Sequence, residues 1–345
     1  MSGRNFRSDN EAGVAPEILA ALARANEGTA HSYGADAITK RLQERFCEVF
    51  ETRVDVLTLV TGTAANSLAV AQISPPYGAV YCHTDAHINT DECGAPEFYS
   101  GGAKLVGLGG AHARIDIDEL ARTLNHAGYL GDHECKPAAL SLSQATERGT
   151  VYSRDELAAL TRVAKTHGLR VHMDGARFAN ALVHLGCTPA ELTWKAGIDV
   201  LSFGATKNGA MMAEALLVFD PALAHELGRR RKRAGQLLSK MRFVSAQLEA
   251  YLEGGLWLRF ARHANALAQA LAEGVEGIPG AELVHPVQAN EVFLRLAPAL
   301  ASGLRDAGFE FYRSPRTEDC YRFVTAFDTP MSAVESLLQA LRAPT

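Results

Sequence analysis

A lysine among small residues is the first candidate for covalent chemistry in this sequence. Lys207 follows the apolar run Asp199–Phe203 and stands in a loop that also contains Gly204 and Gly209. Ligands of open α/β sheets bind at the carboxyl ends of strands, so a side chain in this position faces a binding site. A partly desolvated lysine amine loses its proton readily and then attacks an aldehyde. The alternative is an ordinary surface lysine after a strand.

An acidic residue ends another apolar run upstream of the lysine. Asp174 follows Leu169–Met173, and Arg177 stands in the loop after it. In a pyridoxal-phosphate site a carboxylate pairs with the pyridinium nitrogen, so that the protonated ring can absorb electrons. Asp174 suits that role, and Arg177 suits contact with the ring hydroxyl or a substrate carboxylate. The alternative is an aspartate that caps the next helix, followed by an exposed arginine.

The third candidate is the segment Val60–Asn66, in which a strand end, a glycine turn and a helix start follow one another. Unpaired amides and the positive end of the helix dipole form an anion site there, and Thr63 adds a hydroxyl. Phosphate is its natural occupant. A plain strand-to-helix turn is the alternative, since the segment is neither a Walker loop nor a full dinucleotide fingerprint.

The fourth candidate is His87, which follows the apolar run Ala79–Cys82 and is expected at the same edge of the sheet. Its imidazole could stack on a pyridine ring, act as a base, or do both. A zinc site built from Cys82, His83, His87 and Cys93 is an alternative. The spacings do not repeat the paired separations of structural zinc sites, so we predict no metal.

These residues fall between short apolar runs that alternate with amphipathic segments, a pattern typical of parallel strands joined by helical crossovers. The predicted strands are Val54–Val60, Ala79–Cys82, Ala103–Val106, Ala138–Leu142, Leu169–Met173, Asp199–Phe203 and Glu214–Phe219. The predicted helices between them are Thr63–Ile73, Ile117–Leu124, Arg154–His167 and Pro189–Ala196. We therefore expect an α/β fold built on a mainly parallel, seven-stranded sheet.

The ends of the chain have a different pattern. Surface helices are predicted at Pro16–Asn26 and Asp36–Phe50, and long helices at Pro221–Tyr251 and Leu256–Glu273. The remaining predicted elements are the strands Leu283–His285, Glu291–Leu296 and Arg322–Ala326 and the helices Ala297–Ala307 and Pro330–Leu341. We expect an N-terminal segment (residues 1–30) that packs near a small α+β domain (257–345), and a large ligand-binding domain (31–256).

Composition excludes several classes of protein. The 345 residues carry a formal net charge of −5, which argues against a dedicated binder of nucleic acid or acidic membrane. No apolar stretch approaches the roughly eighteen residues of a membrane span, and the first residues lack the apolar core of a signal peptide. Six scattered cysteines are too few for a disulfide framework in a chain of this length. We expect reduced thiols and a cytoplasmic protein.

Taken in chain order, these motifs resemble those of the threonine aldolase family, within the aspartate-aminotransferase-like (fold type I) pyridoxal-phosphate enzymes. Four further segments carry the resemblance: Phe6–Asn10, His31–Asp36, Ser141–Thr146 and Tyr321–Thr325. Gln144 stands where the family has an acid or amide, after a one-residue shift. The segment Ala234–Met241 replaces a more glycine-rich loop.

The resemblance implies the residues that bind the cofactor. Lys207 would attach pyridoxal 5'-phosphate as a Schiff base, Asp174 would pair with its pyridine nitrogen, and His87 would stack on the ring. The phosphate would lie on Gly62 and Thr63. Arg242, and secondarily Lys232, would reach the phosphate across a subunit boundary.

The resemblance also implies the substrate. Ser8, Arg177 and Arg322 would bind the carboxylate of an amino acid. Tyr33 would also contact this substrate, and His133 would lie near its hydroxyl group. The implied reaction is carbon–carbon cleavage of L-threonine, L-allo-threonine and related β-hydroxy-α-amino acids to glycine and an aldehyde. A phenylserine-preferring aldolase, or another β-eliminating lyase of this fold, is the alternative.

Two features of the implied enzyme stay open. His87 and His133 are both candidates for handling the hydroxyl proton. The implied assembly is a homo-oligomer, a dimer or a dimer-based tetramer, in which a neighbouring subunit completes each active site.

Overall fold

The computed structural model describes residues 4–314 and 317–343. Residues 1–3, 315–316 and 344–345 lie outside the described residues, and they include the ends of the predicted N-terminal segment and of the predicted C-terminal domain. The strands are β1 (Asp55–Leu59), β2 (Gly78–His83), β3 (Lys104–Leu108), β4 (Lys136–Ser143), β5 (Arg170–Gly175), β6 (Val200–Gly204), β7 (Glu214–Val218), β8 (Ala281–Leu283), β9 (Glu291–Leu296), β10 (Tyr312–Arg313) and β11 (Cys320–Val324).

Helices precede, separate and follow these strands. They are α1 (Pro16–Ala25), α2 (Ala37–Val49), α3 (Gly62–Ile73), α4 (His87–Thr90), α5 (Ala95–Ser100), α6 (Ile117–His126), α7 (Arg154–Thr166), α8 (Phe178–Leu185), α9 (Leu227–Arg233), α10 (Arg242–Leu252), α11 (Leu256–Val275), α12 (Pro298–Asp306) and α13 (Met331–Arg342).

The strands form two sheets. The large sheet has the order β1-β7-β6-β5-β4-β2-β3, and only β7 runs antiparallel to its neighbours. The small sheet has the order β10-β11-β9-β8 and is antiparallel. The predicted α/β fold, with a mainly parallel seven-stranded sheet and a smaller α+β unit, is confirmed.

The register of the large sheet aligns the ends of its central strands. Ser143 pairs with Asp174, and Asp174 pairs with Ser202. The next position of β6, Gly204, has no room for a side chain, because a Cβ there would lie 2.6 Å from the carbonyl oxygen of Ala176. Glycine thus permits the loops after β5 and β6 to approach each other.

A cluster of aromatic side chains anchors the same end of β6. Phe203 is buried, with its ring centroid 5.3 Å from that of Phe46 and 5.5 Å from that of Trp257. Phe50 and Phe178 pack on the same ring. This dense packing stabilises the strand that leads into the loop of the candidate lysine.

Two predicted helices are wrong. The segment Pro189–Ala196 contains only a short 3-10 turn, because the Thr193 hydroxyl donates to the Pro189 carbonyl and Thr193 has non-helical backbone angles. The crossover helix between β5 and β6 is instead α8. Its sequence is apolar on nearly every face, which conceals a helical period.

The predicted long helix Pro221–Tyr251 is also wrong. It divides into a 3-10 turn, α9 and α10, with a loop between the two helices. Gly235 in that loop has a φ of +73°, which a helix does not contain.

In the small sheet, β8 begins and ends two residues earlier than predicted. Strand β10 was not predicted, because it has only two residues.

The domain boundaries remain a proposal. Two contacts of the N-terminal segment are relevant to where that segment belongs. Phe6 packs in the core of the small sheet, and its carbonyl accepts from the amide of Val324. Helix α1, in contrast, packs on α10 within the main core. The segment therefore contacts both units.

Candidate active site

The four candidate motifs line one cavity at the carboxyl ends of the parallel strands. Its volume is about 340 Å³, and it is bordered by Gly62 and Thr63 after β1, His87 after β2, Asp174 at the end of β5 and Lys207 after β6. Because these strands run in the same direction, their following loops meet at one edge of the sheet.

Lys207 lies in a loop whose backbone is firmly held. The side-chain amide of Asn208 donates to the hydroxyl of Tyr251 at 2.6 Å and to the carbonyl of Trp257 at 2.9 Å. Gly209 has a φ of +102°, and a Cβ there would lie 3.0 Å from the ring of Phe260. Among the described residues, the Lys207 amine has no hydrogen-bond or ion-pair partner. The amine is therefore positioned by its backbone and left available to react.

Asp174 is a buried carboxylate whose two oxygens both accept hydrogen bonds. Asn66 Nδ2 donates to Oδ2 at 2.8 Å, and the amide of Ala176 donates to Oδ1 at 3.0 Å. Burial alone would raise the pKa of Asp174, but the imidazole of His87 and the Ala176 amide outweigh it, so the pKa lies below its usual value. Asp174 is ionised and can pair with a protonated ring nitrogen.

His87 begins α4 and is oriented by a buried glutamate. Its Nδ1 lies 2.8 Å from Oε1 of Glu92, which also accepts from Asn66 Nδ2 at 2.7 Å. The hydrogen bond to Glu92 raises the pKa of His87 against the opposing effect of burial. Asn66 thereby links the His87–Glu92 pair to Asp174. The imidazole that faces the cavity carries a proton over a wider range of pH than a free histidine.

The start of α3 is available to an anion. The side chain of Thr61 caps the helix by accepting from the amide of Ala64 at 3.1 Å. The amides of Gly62 and Thr63 donate to no acceptor in the part of the chain that the structure describes. A Cβ built on Gly62 would meet no atom within 4 Å, so space is open in front of these amides. This geometry suits a phosphate group.

Together these groups fit pyridoxal phosphate. An unpartnered amine, an ionised carboxylate and an anion site border one cavity, and they match the aldehyde, the pyridine nitrogen and the phosphate of that cofactor. Lys207, Asp174 and the Gly62–Thr63 turn would hold it, and His87 borders the same space.

A second, more open cavity of about 740 Å³ adjoins the first. Arg177, which lines both, donates to Asp9 in a two-point contact, at 2.7 Å from Nε and 2.9 Å from Nη2, and its Nη1 lies 3.2 Å from Glu291. Arg322 contacts the other oxygen of Glu291 at 3.4 Å and lines the outer cavity with Ser8. Two cations and two buried acids thus form one network at the entrance.

Breaking this network is expected to destabilise the fold. Asp9→Asn should lower the free energy of unfolding by about 3 kcal/mol, because it leaves the buried Arg177 guanidinium short of a charged partner. Arg177 holds the pKa of Asp9 below its usual value against the effect of burial. The contribution of Asp9 is therefore present at neutral pH and is lost as the pH falls through the pKa of the folded state. Urea unfolding followed by circular dichroism measures both effects.

The matched control is an exposed ion pair on the same segment. Glu310→Gln removes one of the two acidic partners of Arg7, which lies 3.1 Å from Glu310 at the surface and also pairs with Glu11. This substitution should lower the free energy of unfolding by less than about 1 kcal/mol. If both variants lost the same free energy of unfolding, burial of the Asp9–Arg177 pair would add nothing to its contribution to stability.

Four residues named from the resemblance lie away from both cavities in this chain. Tyr33 is exposed, with Lys232 Nζ 5.1 Å from the centre of its ring. Arg242 donates to the carbonyl of Gly28. His133 precedes β4, whose eight residues at about 3.3 Å each put it roughly 20 Å from the end that carries Ser143. Within one chain these residues do not join Lys207.

The four residues of the zinc alternative do not share one site in the described structure. Both ring nitrogens of His83 are used, one by the carbonyl of Gly110 and the other by the amide of Asp85. Cys82 is buried in its strand, whereas Cys93 is exposed. Within residues 4–314 and 317–343, no cluster of three or more His, Cys, Asp and Glu side chains could hold a metal ion.

Several polar residues of the site escaped the sequence analysis. Asp9 lies inside the segment Phe6–Asn10, and Glu92 follows His87 by five residues, but nothing local shows that they pair with Arg177 and His87. Glu147 and Glu214 also line the cavity, and burial raises the pKa of each to about 7. The one signal available from the sequence was Glu214, a glutamate in an otherwise apolar predicted strand.

Known proteins resemble this chain in sequence and in fold. Residues 5–299 match the model of the beta-eliminating lyase family. Low specificity L-threonine aldolases of a Pseudomonas species and of Pseudomonas aeruginosa are 47% and 46% identical, over 99% and 98% of this chain and 97% of theirs. A threonine aldolase structure from Leishmania major has a TM-score of 0.92 at 28% identity, with 98% of both chains covered. The fold type I architecture is confirmed. The chain therefore belongs to the threonine aldolase group of the beta-eliminating lyase family, and its cofactor is pyridoxal phosphate.

Proposed function

We propose that this protein is a carbon–carbon lyase that cleaves L-threonine, L-allo-threonine and related β-hydroxy-α-amino acids to glycine and an aldehyde. The observation that supports this most directly is the meeting of an unpartnered Lys207 amine and an ionised, buried Asp174 in one cavity. The relatives named low specificity L-threonine aldolase, matched over nearly the whole chain, support the choice of reaction.

Each residue of the inner cavity has a proposed task. When bound, the cofactor supplies an electron-poor ring that stores the electron pair released from the broken carbon–carbon bond. Lys207 would hold the cofactor, with its amine as the nucleophile that reacts with the aldehyde. Asp174 keeps the ring nitrogen protonated, and the amides of Gly62 and Thr63 bind the phosphate. His87, oriented by Glu92, stacks on the ring.

The outer cavity is proposed to receive the carboxylate of the substrate. Ser8, Arg177 and Arg322 line it. A carboxylate bound there would keep the Cα–Cβ bond perpendicular to the ring, the orientation in which its electrons enter the π system. Since Asp9 and Glu291 already engage Arg177, we expect Arg322 to provide more of the binding energy.

The remaining proposed site residues require a second subunit. Tyr33, Lys232, Arg242 and His133 lie outside the cavity of their own chain, so we propose that they complete the site of a neighbouring copy. Tyr33 would then contact the substrate, His133 would lie near its hydroxyl, and the two cations would bind phosphate. A dimer or a dimer-based tetramer would satisfy this arrangement.

We propose that the protein works in the cytoplasm. Support comes from its cysteines, all six of which are free, with Cys93 and Cys135 exposed. No helix in the described ranges is long and apolar enough to cross a membrane.

Incubation of the holoenzyme with three substrates tests the proposed reaction. L-threonine, L-allo-threonine and L-phenylserine should each yield glycine and the corresponding aldehyde in equal amounts. The ratio of the three rates gives the preferred side chain and the stereochemical preference. Release of ammonia and a keto acid in place of glycine would overturn the aldolase assignment in favour of β-elimination.

A further inference from the structure

We propose that Glu147 is the base that removes the β-hydroxyl proton of the substrate during carbon–carbon cleavage, an inference that rests on the proposed function. Glu147 lies in the loop after β4. It lines both the inner cavity, where the cofactor fits, and the outer cavity, where the substrate carboxylate would bind. A group at this junction faces the bond that must break.

One oxygen of Glu147 is held and the other is not. Oε1 accepts from the hydroxyl of Ser143 and from the amide of His87, each at 2.8 Å. Oε2 is buried and has no hydrogen-bond partner among the described residues. An unpaired buried carboxylate oxygen is costly, and such exceptions occur where a ligand or a reacting group supplies the missing partner. The hydroxyl group of a substrate is a suitable partner.

The other residues that line both cavities are less suited to be this base. They are Asn10, His87, Arg177 and Lys207. Asn10 does not titrate, Arg177 stays charged, and Lys207 is committed to the cofactor. His87 has one ring nitrogen engaged by Glu92 and a raised pKa, so a larger fraction of it is already protonated and unable to accept a proton near neutral pH.

Glu92 is the nearest rival, since its Oε2 is also buried and unpaired in the described structure. It lines the inner cavity only, and its Oε1 is shared by His87 and Asn66. Glu92 therefore lies behind the imidazole, and we assign it to positioning His87. His133 is roughly 20 Å away along β4 in the same chain.

The charges around Glu147 suit a base that works near neutral pH. Burial and the negative charge of Asp174 raise its pKa to about 7, against the hydrogen bonds from Ser143 and His87. Glu147 also interacts electrostatically with the Arg177 guanidinium, the Tyr152 hydroxyl and the Cys82 thiol. Burial, and secondarily the negative charge of Glu147, raise the pKa of Tyr152 and of Cys82. A general base is most effective when its pKa lies close to the working pH.

The proposed step is balanced. The Glu147 carboxylate takes the β-hydroxyl proton, and the electron pair of the broken O–H bond forms the carbonyl of the aldehyde. The Cα–Cβ bond breaks, and its electron pair remains with the amino-acid fragment, where the cofactor ring stabilises it. A solvent proton then adds to Cα to give glycine, and Glu147 returns its proton to solvent. No oxidant or reductant is consumed.

The Glu147→Gln variant tests whether Glu147 acts as the base or only supports the structure of the site. The variant should retain the visible absorbance of the bound cofactor and its unfolding temperature, while kcat for L-threonine falls by about 10²-fold and KM changes little. Exchange of the α-proton of glycine with deuterated water should continue at the wild-type rate, because glycine has no β-hydroxyl group. Glu147→Asp should recover part of the cleavage rate.

The pH dependence supplies a second measurement. In the wild type, kcat/KM for L-threonine should fall as the pH drops below about 7, since Glu147 becomes protonated, and Glu147→Gln should lack this limb. Ser143→Ala removes a hydrogen bond to the ionised carboxylate, so it should move the limb to higher pH. Infrared titration of the wild-type carboxyl groups should show two that protonate near pH 7, Glu147 and Glu214, and the Glu147→Gln variant should lack one of the two bands.

Three results would overturn the proposal. In the first, Glu147→Gln cleaves L-threonine at the wild-type rate. In the second, Glu147→Gln loses cleavage and exchange of the glycine α-proton to the same degree. In the third, Glu147 ionises at the pH of an ordinary glutamate. If the glutamine variant fails to fold, the Glu147→Asp variant assigns the infrared band, because it replaces the glutamate carboxyl group with that of an aspartate. Failure of the wild-type holoenzyme to release any aldehyde is a different outcome, since it would contradict the proposed function itself.

Discussion

Lys207→Ala is expected to abolish both the attachment of the cofactor and the cleavage of L-threonine. Turnover should fall by on the order of 10⁴-fold or more, the scale seen when a group that forms the covalent intermediate is removed. The reason is geometric. The loop of Lys207 is held by Asn208 and Gly209, and among the described residues no second unpartnered lysine lines the cavity. Loss of the visible absorbance of the bound cofactor, and failure of borohydride to label the chain, measure the attachment directly.

Two control variants accompany Lys207→Ala. Lys207→Arg retains the positive charge but not the nucleophile, so it should be as inactive as the alanine variant. Lys195→Ala removes an exposed lysine that pairs with Glu51 at 2.6 Å, and it should cleave threonine at the wild-type rate. Full turnover by purified Lys207→Ala would show that the cofactor attachment is assigned to the wrong residue.

Asp174→Asn is expected to leave the cofactor bound and to lower kcat by on the order of 10³-fold. The substitution preserves the shape of the side chain and one of its two accepted hydrogen bonds, from Asn66 or from Ala176, but it removes the charge that keeps the ring nitrogen protonated. The ring then accepts electrons poorly, and the barrier to breaking the Cα–Cβ bond rises. Steady-state kinetics and the absorbance spectrum of the bound cofactor, taken on the same preparation, measure the two effects separately.

A control variant at a second aspartate separates this electronic role of Asp174 from the loss of stability that follows when any buried charge is removed. Asp199 precedes β6 at the opposite edge of the sheet and pairs with Lys165 and Arg170. Asp199→Asn should lower the unfolding temperature but leave kcat nearly unchanged. If Asp174→Asn instead lost stability and retained turnover, its carboxylate would be a structural group.

The two largest effects are linked through one buried network. Asn66 donates to Glu92 and to Asp174, and Glu92 in turn orients His87. The residue that would contact the ring nitrogen and the residue that would stack on the ring are therefore fixed by the same amide. Buried networks of this kind hold reacting groups in one geometry.

Much of the architecture follows from local patterns in the sequence. All seven strands of the large sheet were predicted to within two residues, because a strand buried on both faces is a short, nearly continuous apolar run. The edge at which Gly62, His87, Asp174 and Lys207 meet was predicted for the same reason. Each of them follows a strand, and parallel strands bring their carboxyl ends together.

Elements that lack a local pattern were missed. Helix α8 is apolar on almost every face, and so it has no polar stripe from which a helical period can be recognised. The loop between α9 and α10 interrupts a stretch of good helix formers, and its position depends on a contact with Tyr33, whose amide donates to the carbonyl of Ser239. In both places tertiary packing outweighed local propensity.

The residue types and their order along the chain are sufficient to predict the fold class, the cofactor and the side chains that follow each strand. The partners of those side chains are decided only by the tertiary structure. Arg177 was expected to face a substrate, yet Asp9, distant in sequence, occupies most of its donors. Glu147 comes to lie against His87, and His133 is separated from both by the length of β4. A local pattern determines the element on which a residue lies, whereas the contacts of a buried charge depend on distant segments that meet only when the chain folds. For Lys207, the residue that first indicated covalent chemistry, the sequence predicted its place after β6, and only the folded structure shows that its amine has no partner among the described residues.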